Sequence, residues 1–167
     1  MRVTSSFGMM AQGYIPVMWR LAALSDEEAV VRMGVALSIE DPGPRPVPAE
    51  NIRRTLRALR ETPWRGRALV LECDGRVCGY ALLIGYWSNE LGGEIDVIDE
   101  LYVEPQHRGR RHATSLIEAL ATGASPVSSN AVALTLEVTP DNVRARRLYE
   151  RLGFEARNLA MRRLRGG

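Results

Sequence analysis

The chain has 167 residues, 46% of them hydrophobic and 25% charged, with a formal net charge of +2. That length fits one domain with its own core, the composition excludes wholesale disorder, and so small a charge argues against nucleic acid as a partner. All 22 basic residues are arginine, which excludes lysine nucleophiles and leaves arginine as the only cation for phosphates; a GC-rich bacterial genome would give the same bias.

Residues 1–13 read as a loose tail ahead of a single domain over 14–167, with Met9 or Met10 as an alternative start. No apolar run approaches the ~18 residues of a membrane span, and the first dozen residues lack the apolar stretch of a signal peptide. Pro16 to Leu21 resembles a first strand. Ser25-Asp-Glu-Glu28 has the form of a capping box and opens a helix to about Ser38. Asp41 to Pro48 is too rich in proline for a helix and reads as a stiff loop. Ala49 to Glu61 is a basic amphipathic helix with Ile52, Leu56 and Leu59 inward.

Ala68 to Cys73 and Arg76 to Tyr86 form a hairpin around Asp74-Gly75. A two-residue turn sets Leu71 opposite Cys78, so Cys73 and Cys78 are not directly opposed. Two cysteines without paired metal spacing do not make a zinc site. Both read as reduced residues of a cytoplasmic protein, and no metal is expected.

Glu94 to Val103 is the next strand. Beyond it, Gln106-His-Arg-Gly-Arg-Arg-His-Ala113 leads into a helix from Gly109 to Thr122. Free N–H groups and the positive dipole end make a helix start a phosphate site. Arg108, Arg110 and Arg111 oppose that dipole unless an anion offsets them, although a solvated basic loop is the plainer alternative. The loop is neither a Walker loop nor a dinucleotide fingerprint, since it lacks the required lysine and glycines.

Ala131 to Val138 reads as a strand, Asn142 to Leu152 as a helix, and Phe154 to Leu164 as a closing strand. Asn142 and Tyr149 lie seven positions apart, about two helical turns, so their side chains leave one face. On spacing alone the pair reads first as a helix cap and an amphipathic core residue.

Taken together, Leu101-Tyr-Val-x-Pro-x-x-Arg108-Gly109, then Leu136-Glu-Val, Asn142, Ala145, Leu148-Tyr149 and Gly153-Phe154, resemble the GNAT superfamily of acyl-CoA-dependent N-acetyltransferases. The resemblance covers roughly residues 66–156. It implies an α/β (α+β) single-domain fold, with a mixed, mostly antiparallel sheet of about six or seven strands and helices on both faces. It further implies acetyl-CoA as co-substrate, held by Leu101, Tyr102, Val103, Arg108, Gly109, Arg110, Arg111, His112, Ala113, Asn142 and Tyr149. One position departs from the family: Arg111 stands where a small residue is usual. Its Cβ restricts the backbone, yet its guanidinium could reach a phosphate.

The implied chemistry is transfer of an acetyl group from a thioester to a primary amine of a small molecule or peptide. It requires a base, oxyanion donors and an acid for the departing thiolate. Tyr149 matches the family's acid, and a backbone N–H on the Leu101–Val103 strand would hold the oxyanion, the family splaying this strand from the next. Asp99 and Glu100 are the candidate bases; alternation lets only one face the cleft, with Asp99 marginally preferred. The acidic run Glu90, Glu94, Asp96, Asp99 and Glu100 suggests a cationic acceptor. The 49–61 helix and the Pro-rich loop fall where the family selects acceptors. A homodimer stays open, as do two other readings: a non-catalytic CoA-binding sensor and a partner-binding module. Nucleic acid and membrane are not expected partners.

Overall fold

The computed structural model describes residues 18–43, 45–123, 127 and 129–156. Along the chain run β1 (Met18–Leu21), α1 (Glu27–Glu40), α2 (Ala49–Glu61), β2 (Gly66–Cys73), β3 (Arg76–Ser88), β4 (Gly93–Val103), α3 (His112–Thr122), β5 (Ala133–Leu136) and α4 (Val143–Arg151). A short 3₁₀ turn, Pro105–His107, stands between β4 and α3. Among the described residues the sheet has five strands in the order β1-β2-β3-β4-β5. Its first three pairings are antiparallel and β4–β5 is parallel. The expected α/β architecture with a mixed sheet is therefore present. Most of the expected closing strand, 157–164, and the tail at 1–13 lie outside the described residues.

Side-chain alternation along β2 and β3 splits the core in two. Leu69, Leu71, Ala81 and Leu83 face α3 and bury its Leu116, Ile117 and Leu120. Val70, Tyr80 and Leu82 face the other way, against Val30 and Met33 of α1 and Ile52, Leu56 and Leu59 of α2. The three inward residues expected of the 49–61 helix are all buried.

The helix at the chain's start is capped differently from expectation. α1 begins at Glu27 with no side-chain hydrogen bond from its N-cap, Asp26; the Asp26 carboxylate instead reaches back to accept the Ala23 N–H at 2.7 Å. Arg20 donates two hydrogen bonds to that carboxylate and holds it well below its ordinary pKa, against the opposing effect of burial. A partner in β1, six residues back, thus orders the turn ahead of α1.

Two irregularities of register matter for function. Opposite Leu82 and Leu83, β4 carries an extra residue, Asp99, between Ile98 and Glu100. The β2–β3 hairpin turns at Asp74 and Gly75, both at positive φ as a two-residue hairpin requires. It then skips a residue, so that Leu71 pairs with Gly79, Glu72 with Val77, and Cys78 has no strand partner. This bulge brings Cys73 and Cys78 together with Cα atoms 6.0 Å apart, joined as a disulfide. The expectation of two reduced thiols is corrected. Alternation had already placed both residues on one face, and the bulge supplies the approach that an even ladder would not.

Candidate active site

β4 and β5 run side by side only from Ile95–Ala133 to Ile98–Leu136. Beyond Ile98, β4 continues to Val103, while the chain after β5 leaves the sheet towards α4. The strands part there, and a cavity of about 970 Å³ opens in the gap. Its walls are Leu101, Tyr102 and Val103 from β4, the loop and first turn of α3, the first two turns of α4, and the end of α1. A volume of this order suits an extended small-molecule ligand.

Of the residues singled out from the sequence, Leu101, Tyr102, Val103, Arg108, Gly109, Arg111, His112, Ala113, Asn142 and Tyr149 all line this cavity. Arg110 is exposed and does not. Neither does Asp99 or Glu100. Leu37, Glu40, Asp41 and Pro42, which close one side, were not singled out. Nothing in the local pattern of α1 marks its last turn, since that turn meets the cavity only through the tertiary packing of the helix.

The loop before α3 keeps a glycine-like path without glycine. Arg111 sits at φ 63°, in the left-handed region that a Cβ disfavours, and Gly109 is at φ 79°. The Arg111 side chain stays 79% exposed, its nearest carboxylate being Glu118 at 3.9 Å. Helical hydrogen bonding of the first turn begins with Ser115 N–H to Arg111 C=O. The N–H groups of His112, Ala113 and Thr114 therefore have no intrahelical acceptor and sit at the cavity wall. The Trp19 indole N–H holds this helix start by donating to the His112 carbonyl at 3.0 Å.

Arg108 is engaged within the protein. Its Nε donates to the Val103 carbonyl at 2.6 Å, its Nη2 to Glu40 Oε2 at 2.7 Å, and the guanidinium lies 5.1 Å from the Tyr102 ring centre. Tyr102 in turn donates its hydroxyl to Glu40 Oε1 at 2.9 Å. Burial raises the Glu40 pKa, but the Arg108 and Tyr102 hydrogen bonds outweigh it and leave the carboxyl below its ordinary range. This cluster ties the end of α1 to the end of β4. Arg108 accordingly acts as a brace for the loop, and of the exposed Arg110 and Arg111 only Arg111 lines the cavity.

On the opposite wall, Asn142 caps α4. Its Oδ1 accepts the Ala145 N–H at 3.1 Å and its Nδ2 donates to Asp41 Oδ2 at 2.8 Å. Asp41 also accepts from the Thr139 hydroxyl at 3.0 Å. Tyr149 packs edge-on against Phe154, ring centres 5.7 Å apart. Burial, reinforced by the Asp41 charge, raises its phenol pKa, so the hydroxyl keeps its proton at neutral pH.

The two candidate bases differ sharply. Asp99, at the bulge, is exposed, whereas Glu100 is half-buried on the α1–α2 face. The Tyr80 hydroxyl donates to Glu100 Oε2 at 2.7 Å. Burial pushes the Glu100 carboxyl above its ordinary range and the neighbouring Asp99 adds to the rise, against the lowering effect of the Tyr80 bond. Asp96, from the same acidic run, is consumed elsewhere: Arg67 grips it with two hydrogen bonds at 3.1 and 2.8 Å and the Ser129 hydroxyl with a third at 2.6 Å. Glu90 and Glu94 are exposed and do not line the cavity.

Two imidazole nitrogens near the loop, His107 Nδ1 and His112 Nε2, are buried without a hydrogen-bond partner. Burial, with Arg110 and His107 close by, lowers the His112 pKa. No helix among the described residues is long and apolar enough to cross a membrane.

The sequence pattern of the Acetyltransferase (GNAT) family matches residues 35–154. An uncharacterised N-acetyltransferase of Methanocaldococcus jannaschii is 37% identical over 90 residues, a stretch covering 54% of this chain and 53% of the relative. The chain thus spans about half the length of the curated relative it matches. A possible acetyltransferase from Clostridium difficile 630 superimposes with a TM-score of 0.76 at 19% identity, over 90% of this chain and 97% of the other. An aminoglycoside N-acetyltransferase in complex with CoA gives a TM-score of 0.73 at 16% identity, over 94% and 100%. The ribosomal-protein-alanine N-acetyltransferase of Brucella melitensis biovar Abortus 2308 gives 0.68 at 21%, over 91% and 100%. At these identities the structural likeness speaks for the fold.

Proposed function

The chain belongs to the GNAT family of acetyltransferases, and from that premise we propose that it moves an acetyl group from acetyl-CoA to a primary amine by direct transfer, with Tyr149 as general acid. The observation that carries this reading is the shared cavity. Tyr149 and Asn142 line the same space as the parted end of β4 and the loop before α3. The thioester arm would lie along Leu101–Val103, where β4 has lost its neighbour, and the diphosphate at the free N–H groups of His112, Ala113 and Thr114. Arg111 would supply the outward-facing charge.

In the reaction the amine nitrogen attacks the thioester carbonyl, and a β4 N–H steadies the oxygen as it gains charge. The carbon–sulfur bond then breaks and Tyr149 gives its proton to the sulfur. The raised pKa of Tyr149 keeps the proton on the phenol until the thiolate forms, and the negative sulfur leaving beside it drives the transfer. Glu100 lies behind the cavity wall, so it would take the ammonium proton through water. It is preferred to Asp99 because a half-buried carboxyl with a raised pKa is the better base at neutral pH. The acceptor would be an amine on a small molecule or peptide, with Asp141 the wall carboxylate, among the described residues, not already held by the cluster around Glu40 or by Asn142.

The test is a thermal-shift titration with acetyl-CoA followed by thiol release across a panel of amines. Binding to the folded state should stabilise it by about 2.7 kcal/mol at one hundred times Kd. A flat melting temperature would sink the reading. A shift without thiol release from any amine would leave a CoA-binding protein in place of an enzyme.

A further inference from the structure

We propose that Cys73, Cys78 and His107 form a binding site for a divalent cation with affinity for sulfur, such as Zn²⁺, which the protein takes up when the Cys73–Cys78 disulfide is reduced. The cysteines take no part in the chemistry described above, His107 also lines the cavity, and the cluster joins two distant parts of the chain. The cysteines flank the β2–β3 turn, and His107 ends the 3₁₀ turn that leads into the loop before α3.

The two sulfurs and one nitrogen of these residues all lie within 4.8 Å of one another. A tetrahedral zinc ion with bonds of ~2.3 Å to sulfur and ~2.0 Å to nitrogen spaces its ligands about 3.5–3.8 Å apart. Parting the two sulfurs by that much is a small adjustment on a hairpin already bulged at this point. His107 Nδ1 is buried without a hydrogen-bond partner, a state that costs stability unless something binds the nitrogen. A metal ion bound through that nitrogen removes the cost. Charge also balances: two thiolates and a neutral imidazole cancel a dication, which an apolar surround tolerates better than a net charge. Both cysteines are buried, in a cluster with Trp19, Leu71 and Val103. Water or another donor completes the coordination.

The chemistry is a two-electron exchange followed by ligation. Two molecules of a small thiol give two electrons and two protons to the disulfide and leave joined as their own disulfide. The freed Cys73 and Cys78 thiols then release their protons as the metal binds. Disulfide and metal are alternative fastenings of the hairpin. The metal alone also fastens His107, and through it the residue that follows, Arg108, which braces the loop.

The full-length protein would be reduced, freed of reductant without air, and titrated with Co²⁺. One equivalent should produce a near-ultraviolet thiolate-to-cobalt band that Zn²⁺ abolishes by displacement, while protein with its disulfide intact shows none. Cys73→Ala should lose the band, and His107→Gln should weaken Co²⁺ binding at least about tenfold. Because core variants can fold poorly, the wild-type protein supplies an independent reading: Zn²⁺ should slow alkylation of both cysteines by iodoacetamide. Absence of the band together with unchanged alkylation overturns the proposal. So does undiminished Co²⁺ affinity in folded His107→Gln, which would leave the imidazole no part in the site.

Discussion

α2 and α4 are both arginine-rich amphipathic helices, yet they end in opposite situations. α2 buries Ile52, Leu56 and Leu59 to 5% exposure or less. α4 has no fully buried residue, and its Leu148 and Tyr149 remain half-buried. The strands beneath explain the difference. α2 lies against the sheet where β2 and β3 pair without a gap, whereas α4 follows β5 at the point where it leaves β4. Apolar surface that closes the core on one side becomes a cavity wall on the other. A ligand can recover the burial that α4 forgoes, so the weaker half of the packing is where function belongs.

The comparison predicts first that Leu56→Ala costs about 2–5 kcal/mol of unfolding free energy, the range for truncating a buried leucine, with acetyl-CoA affinity intact. Leu148→Ala should cost about 1 kcal/mol or less and weaken acetyl-CoA binding instead. Denaturant melts alongside calorimetry check both, and equal stability losses would erase the distinction between the helices.

Next in size is Tyr149→Phe, which keeps the ring against Phe154 and deletes only the hydroxyl. Turnover should fall by roughly 10²-fold or more, the scale of lost general-acid work, while melting temperature and acetyl-CoA affinity stay near wild type. Undiminished turnover would return Tyr149 to a packing role.

Glu100→Gln should reduce kcat/KM at neutral pH by about tenfold or more. The sign follows from the raised pKa: a base works deprotonated, so wild-type activity should fall with acid at a pH above the ordinary carboxylate range. In the Gln variant that acid limb should vanish. Asp99→Asn, changing an exposed bulge residue, should keep it. A pH–rate profile of each variant decides between them, and an acid limb that survives in Glu100→Gln excludes this carboxylate as the base.

The smallest effect concerns the brace. Glu40→Gln weakens the hold on Arg108 without touching the loop and should lower acetyl-CoA affinity about two- to fivefold, in keeping with a part-exposed ion pair. Arg108→Ala also frees the Val103 carbonyl and should do more. Isothermal titration of both tests the order, and an effect of Glu40→Gln larger than that of Arg108→Ala would mean that Glu40 meets the ligand itself.

Most of the fold was legible because its determinants are local. Apolar periodicity in 49–61 placed α2 and its three core residues, Asp74-Gly75 fixed the hairpin turn, and Asn142 was recognisable as the start of α4. Ten of the eleven residues expected around acetyl-CoA line one cavity for the same reason, since each strand–helix junction carries its residues at fixed spacing. Tertiary structure alone decided what depended on partners far along the chain. Arg67 withdrew Asp96 from the acidic run. Glu40 turned Arg108 inward, and burial beside Tyr80 separated Glu100 from Asp99. The cysteines show the limit most plainly. Their spacing pointed to two reduced thiols, but a bulge of one residue joined them, and a turn from beyond β4 set the His107 imidazole beside them. A sequence pattern records which side of an element a residue takes; which group waits on that side depends on how the elements pack.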